Sequence, residues 1–231
     1  MFESRLRENL PRVQEAIAAA SHRAGRGEGE VTLVVVTKAH PPDALRAALS
    51  LGIRDLGENR IEELEEKIGL LGRDAATWHM VGHLQSRKAR QAVEFSDLLH
   101  SLDSLKLARR LSALALEEGV LLPALVQVNT SGEDGKSGLD EPQALEAIHE
   151  ILGLKGLEIR GLMTMAPFVE DEGVLRKTFA GLRKVHEEAG KLPEYRGREL
   201  SMGMTNDFEL AVEEGSTMVR VGTALFGERP R

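Results

Sequence analysis

Short apolar runs rich in β-branched residues and leucine punctuate the chain, and longer segments with apolar positions three and four residues apart lie between them. The first such segment runs from Phe2 to about Arg23, where Leu6, Leu10, Val13, Ile17 and Ala20 share one helical face. Gly25, Gly27 and Gly29 then break the pattern. Val31–Thr37 follows as a continuous β-branched run, the mark of a strand buried on both faces. Seven further runs have the length of strands: Ile53–Leu56, Trp78–Val81, Leu98–Leu102, Ala124–Val128, Ile159–Met163, Glu199–Met202 and Met218–Val221. The periodicity between them predicts helices over Pro42–Leu51, Leu105–Glu118, Glu141–Leu152 and Glu172–Ala189.

Alternation of this kind predicts an α/β fold with parallel strands and crossover helices. Eight strand units match a closed (β/α)8 TIM-type barrel, for which about 250 residues is typical. An open doubly wound sheet is the competing arrangement. Neither a linker nor a low-complexity stretch interrupts the pattern, so residues 1–231 read as one barrel domain, with 1–27 an extra N-terminal helix and turn.

Composition narrows the partners. The 30 Lys and Arg residues against 37 Asp and Glu leave a formal charge of −7, which argues against nucleic acid as the main ligand. Cysteine is absent, which excludes disulfides and thiolate metal sites. Six Phe, one Trp and one Tyr are too few for a base-stacking platform. No apolar run approaches the roughly 20 residues that span a bilayer. The N-terminus lacks the apolar core of a signal peptide, so a soluble cytoplasmic protein is expected.

Several motifs fail on inspection. Gly135-Lys136-Ser137 resembles the end of a phosphate-binding loop, but the glycine required at position 130 is Thr130. His79 and His83 have the spacing of a zinc pair on a helix, yet they follow a strand-like run and flank Gly82, which favours structural or pocket-lining roles over a metal. No Gly-x-Ser-x-Gly elbow and no dinucleotide fingerprint occur.

Lys38 stands apart because it follows the most apolar strand directly. In a barrel that position faces the mouth where chemistry is placed, and desolvation there lowers an amine's pKa toward Schiff-base reactivity. Ser201-Met202-Gly203-Met204-Thr205 closes the seventh candidate strand and Arg220-Val221-Gly222-Thr223 the eighth. Loops after strands 7 and 8 are the recurrent phosphate site of such barrels, and glycine permits close approach to an anion. An amine facing a phosphate cup suggests pyridoxal 5′-phosphate (PLP), which joins an aldehyde and a phosphate on one ring.

The same residues resemble a known family. Val36-Thr37-Lys38, Leu56-Gly57-Glu58-Asn59-Arg60, Trp78-His79-Met80-Val81-Gly82-His83-Leu84-Gln85, Gly161-Leu162-Met163, Leu200-Ser201-Met202-Gly203-Met204 and Val219 to Gly227 are similar, in order, to the motifs of the YggS/PROSC family of PLP-binding homeostasis proteins. The resemblance implies the barrel of the alanine racemase N-terminal domain, with Lys38 carrying the cofactor as a Schiff base and Asn59 beside it. It further implies that Ser201, Gly222 and Thr223 hold the phosphate, with the Met202 and Gly203 backbone nearby, and that Arg220 approaches the pyridine nitrogen. Three positions depart from the family pattern. Ser86-Arg87-Lys88 stands where x-Asn-Lys is usual, Glu62 where Gln is usual, and Thr205 where Ser is common.

Racemases and decarboxylases on the same barrel make an enzyme the alternative. Arg220 disfavours a protonated pyridine nitrogen, and racemization needs a second acid or base opposite the lysine. The single tyrosine, Tyr195, lies in a polar stretch before the seventh strand. The eight units take up nearly all of the 231 residues, which is read as leaving no room for a second domain with an opposing base. The expectation is therefore a non-catalytic PLP carrier that buffers or delivers the cofactor, with PLP-dependent apoenzymes as partners, no metal, and a monomeric state by family tendency.

Overall fold

A computed structural model describes residues 2–27, 29–133 and 135–227. Eight parallel strands form its centre: β1 Thr32–Val36, β2 Asp55–Glu58, β3 Thr77–Met80, β4 Leu98–Leu102, β5 Leu122–Asn129, β6 Leu157–Met163, β7 Glu199–Met204 and β8 Met218–Val221. Each pairs with the next, and β8 pairs with β1 through Thr32 opposite Met218 to Val35 opposite Val221. The sheet is therefore closed, and the open doubly wound alternative is excluded. A two-residue strand, Leu139–Asp140, adds to the end of β5 outside the ring.

Nine helices surround the strands among the described residues: α1 Phe2–Arg23, α2 Pro42–Ser50, α3 Ile61–Leu71, α4 Ala89–Phe95, α5 Leu105–Glu118, α6 Ala144–Leu152, α7 Glu172–Ala189, α8 Phe208–Glu213 and α9 Thr223–Phe226. The apolar stripe of α1 is buried as its spacing predicts. Arg5 and Asn9 on α1 donate to the carbonyls of Phe226 and Leu225 at 3.0 and 3.1 Å, tying the first helix to the last. Ser104 and Asp171 cap α5 and α7 through the amides of Leu107 and Val174, which is why those two helices start where the sequence places them. Among the described residues no helix is long and apolar enough to cross a membrane.

Two differences from the sequence pattern have physical causes. The second strand is two residues later than the run Ile53–Leu56, because Asp55 and Glu58 enter the sheet with partners supplied from β3 and α3. The helix expected from Glu141 starts at Ala144, after a 3-10 turn over Glu141–Gln143 that contains Pro142.

Most of the core lies between strands and helices. The barrel interior is different. Two small apolar clusters, Val34–Val36–Val81 and Leu98–Leu125–Met163, fill only part of it. The buried polar side chains of His79, His100, Ser201 and Arg220 occupy much of the rest.

Candidate functional site

Lys38 sits one residue beyond Thr37, in a turn rather than in β1 itself. The chain continues through Ala39, whose φ of 58° falls in the left-handed region that non-glycine residues avoid. That turn is held from behind. The Thr37 hydroxyl donates to Glu58, and Lys67 on α3 donates both to Glu58 Oε1 at 2.6 Å and to the Thr37 carbonyl at 2.8 Å. The Ala39 amide donates to Glu63 at 2.8 Å, and the His40 amide to the Thr37 carbonyl at 3.0 Å. Strain at one residue persists where its surroundings over-determine it, as here. Burial pushes the Glu58 carboxyl above its ordinary pKa, with Lys67 and then Thr37 opposing that shift.

Across the mouth, Arg220 on β8 is 95% buried by relative area (5% exposed) and anchored twice. One guanidinium nitrogen donates to Ser201 Oγ at 2.5 Å and the other to the Thr164 carbonyl at 3.0 Å. Burial lowers its pKa to about 10, with Asp207 pulling the other way, so it remains a cation at neutral pH. Burial likewise raises the Asp207 carboxyl, against the Met204 amide that donates to it.

Between the two lies a cavity of about 430 Å³, a size suited to a small cofactor. Lys38, Asn59, Arg220, Gly222 and Thr223 all line it. Two glycines bring these walls close. A Cβ on Gly82 would lie 2.2 Å from the Asn59 carbonyl oxygen, and one on Gly222 would lie 2.9 Å from that of Val36.

Ser201, Met202 and Gly203 are buried in β7 and are not among the residues lining this cavity. The Ser201 hydroxyl instead lies between Arg220 and His100, 2.8 Å from His100 Nδ1. Gly203, at φ 96°, falls where the β7–β8 register shifts, and a Cβ there would sit 2.6 Å from that of Ala211. It serves a bulge that lets α8 pack on β7. Beyond the bulge, the hydroxyl-bearing residue that reaches the cavity is Thr205. The period-2 pattern cannot show this, because the bulge resets which residues face inward.

The spacing also missed Gln127, Ser137 and the Met165–Phe168 segment, which line the cavity from the ends of β5 and β6 and their loops. Applying the strand-end rule to every strand would have found them. His83 lines the cavity too, with Nδ1 2.9 Å from Asp103, while His79 is buried in the barrel interior. Glu62 pairs with Lys88 on a polar groove beside the cavity, and Arg87 donates to Gln85 at 2.9 Å. Tyr195 is buried in the segment leading into β7, its hydroxyl 2.8 Å from His186 Nδ1, and burial raises its pKa.

This closed barrel belongs to the class of the alanine racemase N-terminal domain, whose family model residues 6–230 match. The chain is 37% identical over 222 residues to the pyridoxal phosphate homeostasis protein of Aquifex aeolicus, covering 96% of this chain and 97% of that one. It is 39% identical over 228 residues to the protein of the same name from Pseudomonas aeruginosa, covering 98% and 96%. The structure of PipY from Synechococcus elongatus with PLP bound superimposes at a TM-score of 0.80 with 38% identity, over 91% of this chain and 100% of PipY. An alanine racemase from Clostridium difficile reaches a TM-score of 0.79 at 14% identity, over 99% of this chain and 60% of the racemase, a likeness of fold alone. The chain belongs to the YggS/PROSC family of pyridoxal phosphate homeostasis proteins, within the alanine racemase N-terminal domain class.

Proposed function

We propose that the cavity holds PLP through a Schiff base to Lys38, and that the protein stores or delivers the cofactor instead of transforming a substrate. The observation that carries this reading is one cavity lined by Lys38, Arg220, Thr205, Gly222 and Thr223, in a chain similar to PipY, which is described with PLP bound. These residues fit the group. When bound, PLP supplies an aldehyde that condenses with an amine and releases water, and Lys38 is the amine on the cavity wall. Thr205 and Thr223 would offer hydroxyls to the phosphate, Gly222 would permit close backbone approach, Asn59 would lie beside the ring, and Arg220 would present N–H donors to the pyridine nitrogen. Ser201 then contributes by holding Arg220, with Met202 and Gly203 shaping the strand behind the seat.

A storage role is supported by the surroundings of Tyr195, whose hydroxyl is engaged by His186 outside the cavity lining. Recipients are PLP-dependent apoenzymes, and the protein acts as a single-domain cytoplasmic monomer. The test is to add PLP to the purified protein, record the Schiff-base absorbance band, reduce with borohydride and map the labelled peptide. A label on Lys38 is expected; no band, or a label confined to another lysine, overturns the assignment. Solvent deuterium entering the α-carbon of added amino acids would instead establish the racemase or decarboxylase alternative.

A further inference from the structure

Four successive contacts run through the barrel from the cavity to its other end. Arg220 Nη1 meets Ser201 Oγ at 2.5 Å, and Ser201 Oγ meets His100 Nδ1 at 2.8 Å. His100 Nε2 meets His79 Nδ1 at 2.9 Å, and His79 Nε2 meets Asp55 Oδ1 at 3.0 Å. Arg220, Ser201, His100 and His79 are buried, while Asp55, at the first residue of β2, is one-third exposed.

With both rings neutral, the two ends fix every proton in between. A guanidinium can only donate, so Ser201 Oγ accepts from Arg220. A carboxylate can only accept, so His79 Nε2 carries a proton toward Asp55. With both rings neutral, His79 Nδ1 must then accept, which places a proton on His100 Nε2 and leaves His100 Nδ1 to accept from the Ser201 hydroxyl. No other neutral arrangement puts one proton in each contact. Neutrality of His100 is favoured by burial first, and then by His79 and Arg220.

We propose that His100, His79 and Asp55, acting through Ser201, are positioning residues that lock the Arg220 guanidinium in one orientation at the cavity wall through a one-directional hydrogen-bond chain. The chain makes the cavity's buried cation depend on an acceptor at the opposite end of the barrel. Its value toward the cofactor rests on the PLP reading of the cavity; its proton pattern does not.

Two measurements test it. Nitrogen-15 correlation spectra of the protein without PLP at pH 7.5 should show the ring protons of His79 and His100 on Nε2 and not on Nδ1. Asp55→Ala, at the partly exposed end, should leave the fold intact and release His79 into a mixture of tautomers. In PLP titrations Ser201→Ala should weaken binding by about tenfold, the loss of one charge-assisted bond, and shift the absorbance maximum, while Ser201→Thr should restore both. A proton on Nδ1 of either ring, or a charged His100 at that pH, overturns the chain. Unchanged PLP affinity and spectrum in a folded Ser201→Ala overturns the positioning role. Should the wild-type protein form no PLP adduct at all, the reading of the cavity fails, and the tautomer pattern still decides the chain.

Discussion

The polar systems on either side of the cavity are built on opposite electrostatic plans. Under Lys38 a full charge pair is buried, Glu58 with Lys67, and both partners grip the backbone of the turn or its neighbouring hydroxyl. Behind Arg220 the hydrogen-bonded side chains are a serine and two histidines with Asp55 at the far end of the chain of contacts, while Asp207 acts on the cation electrostatically. The first arrangement holds a main-chain conformation that Ala39 would otherwise leave. The second holds the direction of a side chain. Charge suits the first task because a buried ion pair is intolerant of losing either member. A neutral relay suits the second because it transmits direction without adding charge beside a cation.

Removing what the first system presents gives the largest effect. Lys38→Ala should abolish the borohydride-trapped adduct while leaving the urea midpoint near wild type, as peptide mapping and unfolding curves will show. Next comes the pair itself. Lys67→Met strands the Glu58 carboxylate and should cost about 3–5 kcal/mol in urea unfolding; adding Glu58→Gln should recover a large part of that loss. If the single variant is harmless, charge does not hold the turn.

The relay should respond to pH through its buried His100. The unfolded His100 takes up a proton near its ordinary value of 6.5, whereas the buried ring is held well below that. Its pKa is depressed on folding, so stability is full above about 6.5 and is lost as pH falls below it, by at most about 1.4 kcal/mol per pH unit. His100→Gln should flatten that dependence, leaving the contribution of His186, which burial also lowers. The smallest effect is expected at the family departure: Glu62→Gln should change neither the adduct nor the melting temperature measurably, because the Glu62–Lys88 pair is largely solvated.

The barrel is legible in the sequence because eight short strand-length runs and an amphipathic first helix are local signals. That Lys38, Arg220, Gly222 and Thr223 share one cavity is legible for a related reason, since each lies at or just past a strand end. The family resemblance implies a phosphate contact for Ser201, and nothing local in the sequence reveals that Gly203 falls at a register shift that leaves Ser201 beside Arg220 and Thr205 on the cavity wall. The histidine relay was equally hidden. His79 and His100 sit on adjacent strands 21 residues apart, and only ring closure brings Ser201, 101 residues beyond His100, within 2.8 Å. The acid-bearing second strand is displaced from its apolar run for the same reason: Asp55 and Glu58 look like surface residues until their partners are known.

The ring is sealed by pairing β1 with β8, and α1 grips the residues just beyond that seam. Lys38 leaves β1 and Arg220 belongs to β8, so the cavity depends on contacts of very large sequence separation. Such contacts carry the largest loop-closure entropy and form late. During synthesis the cavity therefore stays incomplete until the last strand has emerged. Any ligand spanning Lys38 and Gly222 binds only the closed ring, and by mass action it acts as a fastener between the first strand made and the last.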